Sequence, residues 1–399
     1  MRWIILVIIW IMPLANHAGW LRTYGYPFTN KGNTLLKTQD NRFIVVGETG
    51  YRKLDIYVVS TNLDGDTFWT KNYKYNNYNF TELGKDIVET PDSNYIVLAS
   101  IDYPNPSILL MKINPSGDII WTNLIYQNEY YYPRKMVCGF DNSFIIIGSM
   151  KDSGSSTDNL FIMKIDTIGN TLWTKIYSAD SINTGKSILG LDICRSEDSS
   201  FVICGRLGKW LSYDLLLFKV DSAGDSIWMK TYNAGSEDLG ISIKTTYDGG
   251  YIIAGKTRYD CCNSDTNVDY NIYLVRTDKN GNLRWSRVLG GPFDESGNSV
   301  VQTTDKGYLI AGSINLDLYK NENDIYISRI DSMGRIIWEM TYGNPQLDDI
   351  AYDVLNTENN GFIITGYIDG EYDWFGVFWH SKLFLLKTDS LGVAVEENI

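Results

Sequence analysis

Reactive side chains are scarce in this chain of 399 residues: two histidines, His17 and His380, and five cysteines. So few histidines remove most imidazole-dependent acid–base and metal chemistry. Ser/His/Asp hydrolysis would rest on His380 alone, and no Gly-x-Ser-x-Gly elbow exists to pair with it. Cys138, Cys194 and Cys204 fall in strand-like runs, as small core residues do. Cys261-Cys262 sits in a long loop as either a vicinal disulfide or a reduced pair, and no zinc spacing is present. Asn62-Leu63-Asp64-Gly65-Asp66 offers oxygen ligands at alternate positions, like part of a calcium loop without its distal Glu. Asn62, Asp64 and Asp66 are therefore the metal candidates, calcium is the ion that suits them, and no other cofactor is expected.

The densest aromatic cluster is Tyr372, Trp374, Phe375, Phe378 and Trp379, followed by His380. Asn76, Tyr78, Phe80, Tyr130, Tyr131 and Tyr132 add aromatic and amide groups elsewhere, and Trp210 and Tyr213 form a third set. Aromatics interleaved with Asp and Asn suit sugar rings or protein surfaces, which offer apolar faces beside polar groups. The competing expectation is that they fold back as a small core beneath their own loop. A net charge of -13 repels phosphate backbones, so nucleic acid is not an expected partner.

These groups need a scaffold, and the rest of the sequence describes one. Arg2, the apolar run Trp3–Met12 and the small residues through Ala18 read as a signal peptide over residues 1–18. That run is too short to span a bilayer, and no second apolar stretch of spanning length follows. Tryptophan then recurs roughly every fifty residues, at Trp20, Trp69, Trp121, Trp173, Trp228, Trp285 and Trp338. An Asp or Asn precedes each of the last six by seven positions, with Gly between, as in Asp278, Gly281 and Trp285. A second motif, aromatic-x-x-x-Gly, runs from Phe43–Gly47 to Phe362–Gly366, with Tyr95–Ala99 as its one variant.

Each unit reads as four short strands; in one, these are Ser299–Thr303, Tyr308–Ala311, Asp324–Arg329 and Ile336–Tyr342. Asp-x-x-Gly turns punctuate them, since Asp bonds its own backbone and Gly supplies positive φ. The fold expected is all-β: a seven-bladed β-propeller of four-stranded blades over residues 19–394, with a tail at 395–399. The last unit stops after its third strand, and Trp20–Tyr24 matches the missing fourth, so the N-terminal strand should complete the last blade. Alternating strand direction puts the short, uniform turns on one face. The variable connections, such as Lys256–Tyr270 and Tyr367–Ser381, gather on the other, where binding usually resides.

The units Tyr247-Asp248-Gly249-Gly250-Tyr251-Ile252-Ile253-Ala254-Gly255 and Arg276-Thr277-Asp278-Lys279-Asn280-Gly281-Asn282-Leu283-Arg284-Trp285 resemble a family of secreted bacterial propeller-repeat proteins. The likeness covers Trp20 to Gly392 and implies the fold, not an activity. Such proteins are often type IX secretion cargo with a C-terminal sorting domain. Here the sequence stops at Val395-Glu396-Glu397-Asn398-Ile399, where a linker to that domain would begin.

The function expected is a secreted, non-enzymatic recognition or scaffold propeller, extracellular or periplasmic. It would be a monomer that binds an extracellular protein or glycan through Tyr372, Trp374, Phe375, Phe378, Trp379, His380, Trp210 and Tyr131. The alternative is a propeller enzyme of quinoprotein-dehydrogenase-like or glycan-cleaving type. The Gly281–Trp285 spacing and Cys261-Cys262 are similar to quinoprotein propellers, but the Asp-to-Gly spacing is one residue shorter and no quinone and calcium shell is visible. The same Gly-to-Trp spacing is one residue longer than in a sialidase Asp-box.

Overall fold

The computed structural model describes residues 19–51, 53–75, 81–102, 105–125, 129–151, 157–178, 187–209, 211–258, 269–291, 293–315, 322–344, 346–370 and 380–394. Strand β1 (Trp20–Tyr24) comes first. Blade one is β2 (Thr29–Lys37), β3 (Phe43–Gly50), β4 (Leu54–Thr61) and β5 (Thr67–Tyr73). Blade two is β6 (Glu82–Glu89), β7 (Tyr95–Ile101), β8 (Ser107–Ile113) and β9 (Ile119–Ile125). Blade three is β10 (Tyr130–Cys138), β11 (Phe144–Lys151), β12 (Asn159–Ile165) and β13 (Thr171–Tyr177). Blade four is β14 (Ser187–Arg195), β15 (Phe201–Lys209), β16 (Ser212–Val220) and β17 (Ser226–Tyr232). Blade five is β18 (Asp238–Thr245), β19 (Tyr251–Arg258), β20 (Tyr270–Thr277) and β21 (Leu283–Leu289). Blade six is β22 (Glu295–Gln302), β23 (Tyr308–Asn315), β24 (Asn323–Ile330) and β25 (Ile336–Tyr342). Blade seven is β26 (Ile350–Asn356), β27 (Phe362–Asp369) and β28 (Ser381–Thr388), completed by β1.

Every sheet is an antiparallel meander, and β1 pairs with β28 from Trp20↔Lys387 to Tyr24↔Leu383, closing the ring as the sequence required. The first strands touch one another in succession, β2 to β6 and onward to β26 and back, so they are innermost. Second and third strands are buried on both faces, which explains their unbroken apolar runs, Phe43–Val46 and Ile56–Val59 among them. There is no single core. Seven apolar clusters lie one between each pair of neighbouring blades, including the pair that joins blade seven to blade one.

The repeat motifs have separate physical jobs. The Asp or Asn of each turn accepts backbone N–H groups two and four residues on; Asp278 Oδ1 takes those of Asn280 and Asn282 at 2.9 and 2.8 Å. The turn glycine has positive φ, and the fourth-strand tryptophan of the preceding blade covers it, Trp228 over Gly281 and Trp338 over Gly392. Trp20 covers Gly65 in the same way, so the closing strand repeats the contact that joins the other blades.

The second-strand glycine answers a different demand. First strands run longer than the sequence suggested: β22 begins at Glu295 rather than Ser299, because each carries a β-bulge near its start. The bulge presses a first-strand carbonyl onto the glycine. A Cβ on Gly47, Gly205, Gly255 or Gly312 would lie 1.8 Å from the oxygen of Lys31, Leu189, Leu239 or Ser296.

Candidate binding site at the axial mouth

The bulges place one extra side chain per blade on the innermost ring: Asn33, Lys85, Arg134, Leu191, Ile241, Asn298 and Tyr352. All seven keep accessible surface although the ring surrounds them, so they line an opening on the axis. The opening lies toward the variable-loop face, because the bulges sit at or before the midpoint of each first strand. Beside it stands the residue that follows each motif glycine or alanine: Glu48, Ser100, Ser149, Arg206, Lys256, Ser313 and Tyr367. Of these, Glu48, Arg206 and Lys256 are partly exposed and the others are buried, and the repeat leaves both positions free to vary.

Cations lie on tyrosine rings at three places around it. Lys31 Nζ lies 4.0 Å from the centroid of the Tyr367 ring, and Tyr352 packs on that ring at 5.8 Å. The Tyr367 hydroxyl donates to Asp348. Asn33 Nδ2 donates to the Gly84 carbonyl at 2.8 Å and lies 3.4 Å from Glu48. On the far side, Arg206 stacks 4.6 Å from the Tyr213 ring and Lys256 4.3 Å from the Tyr270 ring. Both tyrosine hydroxyls donate to Glu237 Oε2, at 2.8 and 2.9 Å, and Arg258 holds Oε1 at 2.7 Å. Leu189, Leu191, Leu239 and Ile241 make the stretch from blade four to blade five aliphatic and partly exposed. The mouth is thus polar and aromatic at blades seven and one, while in blades four and five the aliphatic side chains stand beside Arg206 and Lys256.

Three carboxyls raised by burial lie at the roots of the four-to-one loops and accept N–H groups there. Glu82 accepts the Tyr75 N–H at 2.9 Å, and burial raises it to about 7. Glu295 accepts the Gly291 N–H at 3.1 Å and is raised to about 8 by burial, with Asp294 adding to the effect. Asp349 takes the Asn344 and Asp369 N–H groups at 2.8 Å and is raised by burial to about 6. Asn30, in the same place in blade one, bonds the Tyr26 and Phe28 carbonyls. These groups fasten loops.

Below the mouth a polar belt joins the inner strands, which have no backbone pairing between blades. Asp86, Asp192 and Asp353 accept the N–H of Met136, Ile243 and Leu35 in the next blade, at 2.8, 2.8 and 3.0 Å. Lys135 lies 3.3 Å from Asp86. Burial alone would lower the Lys135 ammonium, but Asp86, Asp353 and Asp192 outweigh it and hold it above its usual range.

The residues singled out in the sequence are placed as follows. Tyr372, Trp374, Phe375, Phe378, Trp379 and Trp210 lie outside the described residues, as do Asn76, Tyr78, Phe80 and Cys261-Cys262. His380 is partly exposed, and its carbonyl accepts the Gly370 N–H at 2.7 Å, closing the base of that loop. Tyr131 is not a loop residue: it belongs to β10, is 1% exposed and meets Phe161 edge-on at 5.1 Å. Strand alternation turned it inward between its half-exposed neighbours Tyr130 and Tyr132. Tyr213 is likewise buried, its hydroxyl on Glu237. Asn62 directs Oδ1 to the N–H groups of Asp64 and Asp66 at 2.9 Å and its amide to the Asp66 carboxylate, which makes it a turn of the repeating kind. Among the described residues no three His, Cys, Asp or Glu side chains cluster closely enough to hold a metal ion. Cys138, Cys194 and Cys204 are free thiols, the last two buried between blades four and five.

The mouth residues escaped the sequence reading. Their signal was available: within units repeated seven times, the position after the motif glycine changes from Glu to Arg to Lys to Tyr.

No family model matches this chain, and no curated protein sequence matches it. Its likeness is to solved propellers, and it is a likeness of fold. Drosophila plexin A, solved in complex with semaphorin 1b, aligns with a TM-score of 0.53 and 7% identity, over 94% of this chain and 87% of that one. A protein of unknown function from Dyadobacter fermentans aligns at 0.48 and 10% identity, covering 92% and 99%. An α-L-arabinofuranosidase from Fusarium graminearum aligns at 0.49 and 12% identity, covering 75% and 91%.

Proposed function

We propose that this propeller is a secreted recognition module that binds a glycan at its axial mouth, with the variable loops around it enlarging the contact. The observation that carries the reading is the composition of the mouth: the Tyr352 ring, the Asn33 and Asn298 amides, the Lys85 and Arg134 cations and the Leu191–Ile241 aliphatic arc share one opening. Sugars present both apolar ring faces and dense hydroxyls, and such a surface meets both. Recognition is favoured over turnover because Glu82, Glu295 and Asp349, three of the carboxyls raised by burial, accept loop N–H groups. The short apolar leader at residues 1–18 supports an extracellular or periplasmic setting.

A glycan array probed with the secreted chain, together with a pull-down from cell-surface extract, tests this. Tyr352→Ala should weaken the retained glycan by about 2 kcal/mol or more, the scale of a binding hot spot. Trp374→Ala and Trp379→Ala should weaken it less if the mouth is the centre of contact. Loss confined to the two tryptophan variants would move the site to the loop. Retention of surface protein without any glycan would replace the ligand class.

A further inference from the structure

Other cations deep in the fold carry a carboxylate partner. Lys112 reaches Asp92 at 2.8 Å, Lys164 reaches Asp141 at 2.7 Å and Lys219 reaches Asp198 at 2.7 Å. Arg276 and Arg329 are paired with Asp248 and Asp305, and Lys135 with Asp86. Among the described residues Lys85, partly exposed, and Arg134, exposed, have no such partner, and neither has Lys256 at the same mouth, which lies on the Tyr270 ring instead. Lys85 and Arg134 occupy the bulges of neighbouring inner strands, β6 and β10, which are in contact. Among the described residues neither makes an ion pair or a hydrogen bond, yet both keep surface open to the mouth.

Burial pulls both below their usual range; Asp102 and Glu48 oppose it for Lys85 and Asp102 and Asp158 for Arg134, all through space, and the Arg134 charge pushes Lys85 further down. Two like charges on neighbouring inner strands repel each other, and an anion between them would relieve that repulsion. Carboxylates are plentiful in a chain of net charge -13, yet among the described residues none forms an ion pair with either cation. Arg presents a planar fork and Lys a point charge, the combination that grips an oxyanion from two sides.

We infer that Lys85 and Arg134 form the seat for an oxyanion, a carboxylate or sulfate borne on a sugar ring, so that the mouth selects acidic over neutral glycans. The inference rests on the glycan reading above and specifies its ligand. Asn33 on the adjacent bulge is placed to meet hydroxyls of the same sugar, and the Leu191–Ile241 arc its apolar face.

Calorimetric titration with trigalacturonate, its fully methyl-esterified form and a heparin-derived sulfated tetrasaccharide tests it, on the wild-type chain and on Lys85→Met and Arg134→Met. Trigalacturonate or the sulfated tetrasaccharide should bind at least tenfold more tightly than the ester. Whichever acid binds more tightly identifies the group. Each Met variant should lose at least fivefold for that acid and much less for the ester, so that the preference for acid over ester falls, and Lys85→Met should melt no lower than wild type because it removes an unpaired charge. Arg134→Gln, which keeps polarity without charge, should lose affinity as Arg134→Met does. Equal binding of acid and ester, or acid binding untouched by all three variants, overturns the inference while the glycan reading stands. Failure of all three saccharides overturns the inference, and a mouth that retains no glycan on the array overturns the broader reading with it.

Discussion

Gly255 has no room for a side chain: the first added carbon would lie 1.8 Å from the Leu239 carbonyl oxygen, which the bulge of β18 holds in place. Backbone cannot yield as a flexible side chain can, so Gly255→Ala should destabilise by about 2 kcal/mol or more, the range of overpacked cores. Chemical denaturation would show it, and an unchanged midpoint would mean the bulge relaxes freely. Trp285 is the complementary case. It covers Gly334 and donates its indole N–H to the Ser332 carbonyl at 3.0 Å. Trp285→Ala should cost about 3–5 kcal/mol through the cavity left between blades five and six. Tyr352→Ala, at the mouth, should cost clearly less stability than Trp285→Ala.

At the level of the strands and loops, the buried carboxyls make stability depend on pH with a definite sign. Glu82, Asp349, Asp369 and Glu295 are raised by burial to about 7, 6, 6 and 8, above the ordinary carboxyl value of about 4 in the unfolded chain. The folded state therefore holds their protons more tightly than the unfolded state does. Their contribution is fully present below about pH 4 and is lost as pH rises through about 6 to 8. Asp92, Asp141 and Asp198 are lowered, with burial opposed by Lys112 and Thr90, by Lys164 and Ser143, and by Lys219 and Ser200, and they titrate below this window. Raising the pH from about 5 to about 8.5 should lower the melting temperature. Glu295→Gln keeps an acceptor for the Gly291 N–H and should flatten that slope. Scanning calorimetry across the window decides it, and a melting temperature that climbs with pH would contradict the assignment.

For the whole ring, stability depends on a seam of five residues. β1 supplies the outer strand of blade seven, and Trp20 covers Gly65 of blade one, so one short segment bonds one blade and packs on the next. Tyr24 reinforces this, donating its hydroxyl to the Gly65 carbonyl at 2.6 Å. Deleting Trp20–Tyr24 should expose the β28 edge and uncover the cluster between blades seven and one. Light scattering should then show association and calorimetry a lower melting temperature. A truncated chain that stays monomeric with unchanged melting would show that closure is dispensable.

The repeat was written in local chemistry, and local chemistry can be read in order along a chain. Asp278 and Gly281 fix a turn whatever lies beyond it, and Trp285 marks a fourth strand by its distance from that turn. Seven such registers, with the first and last units complementary, determined the blade count and the closure. The mouth was not legible in that way. Lys31 and Tyr367 meet only because the ring returns β27 to the side of β2. The bulges add one residue to each inner strand, and in a strand one residue decides which way every later side chain points. Tyr131 shows the consequence, turned into the core where its composition suggested a surface. Which charges stand alone, as Lys85 and Arg134 do, depends on partners carried by other blades, and only closing the ring brings those blades within reach.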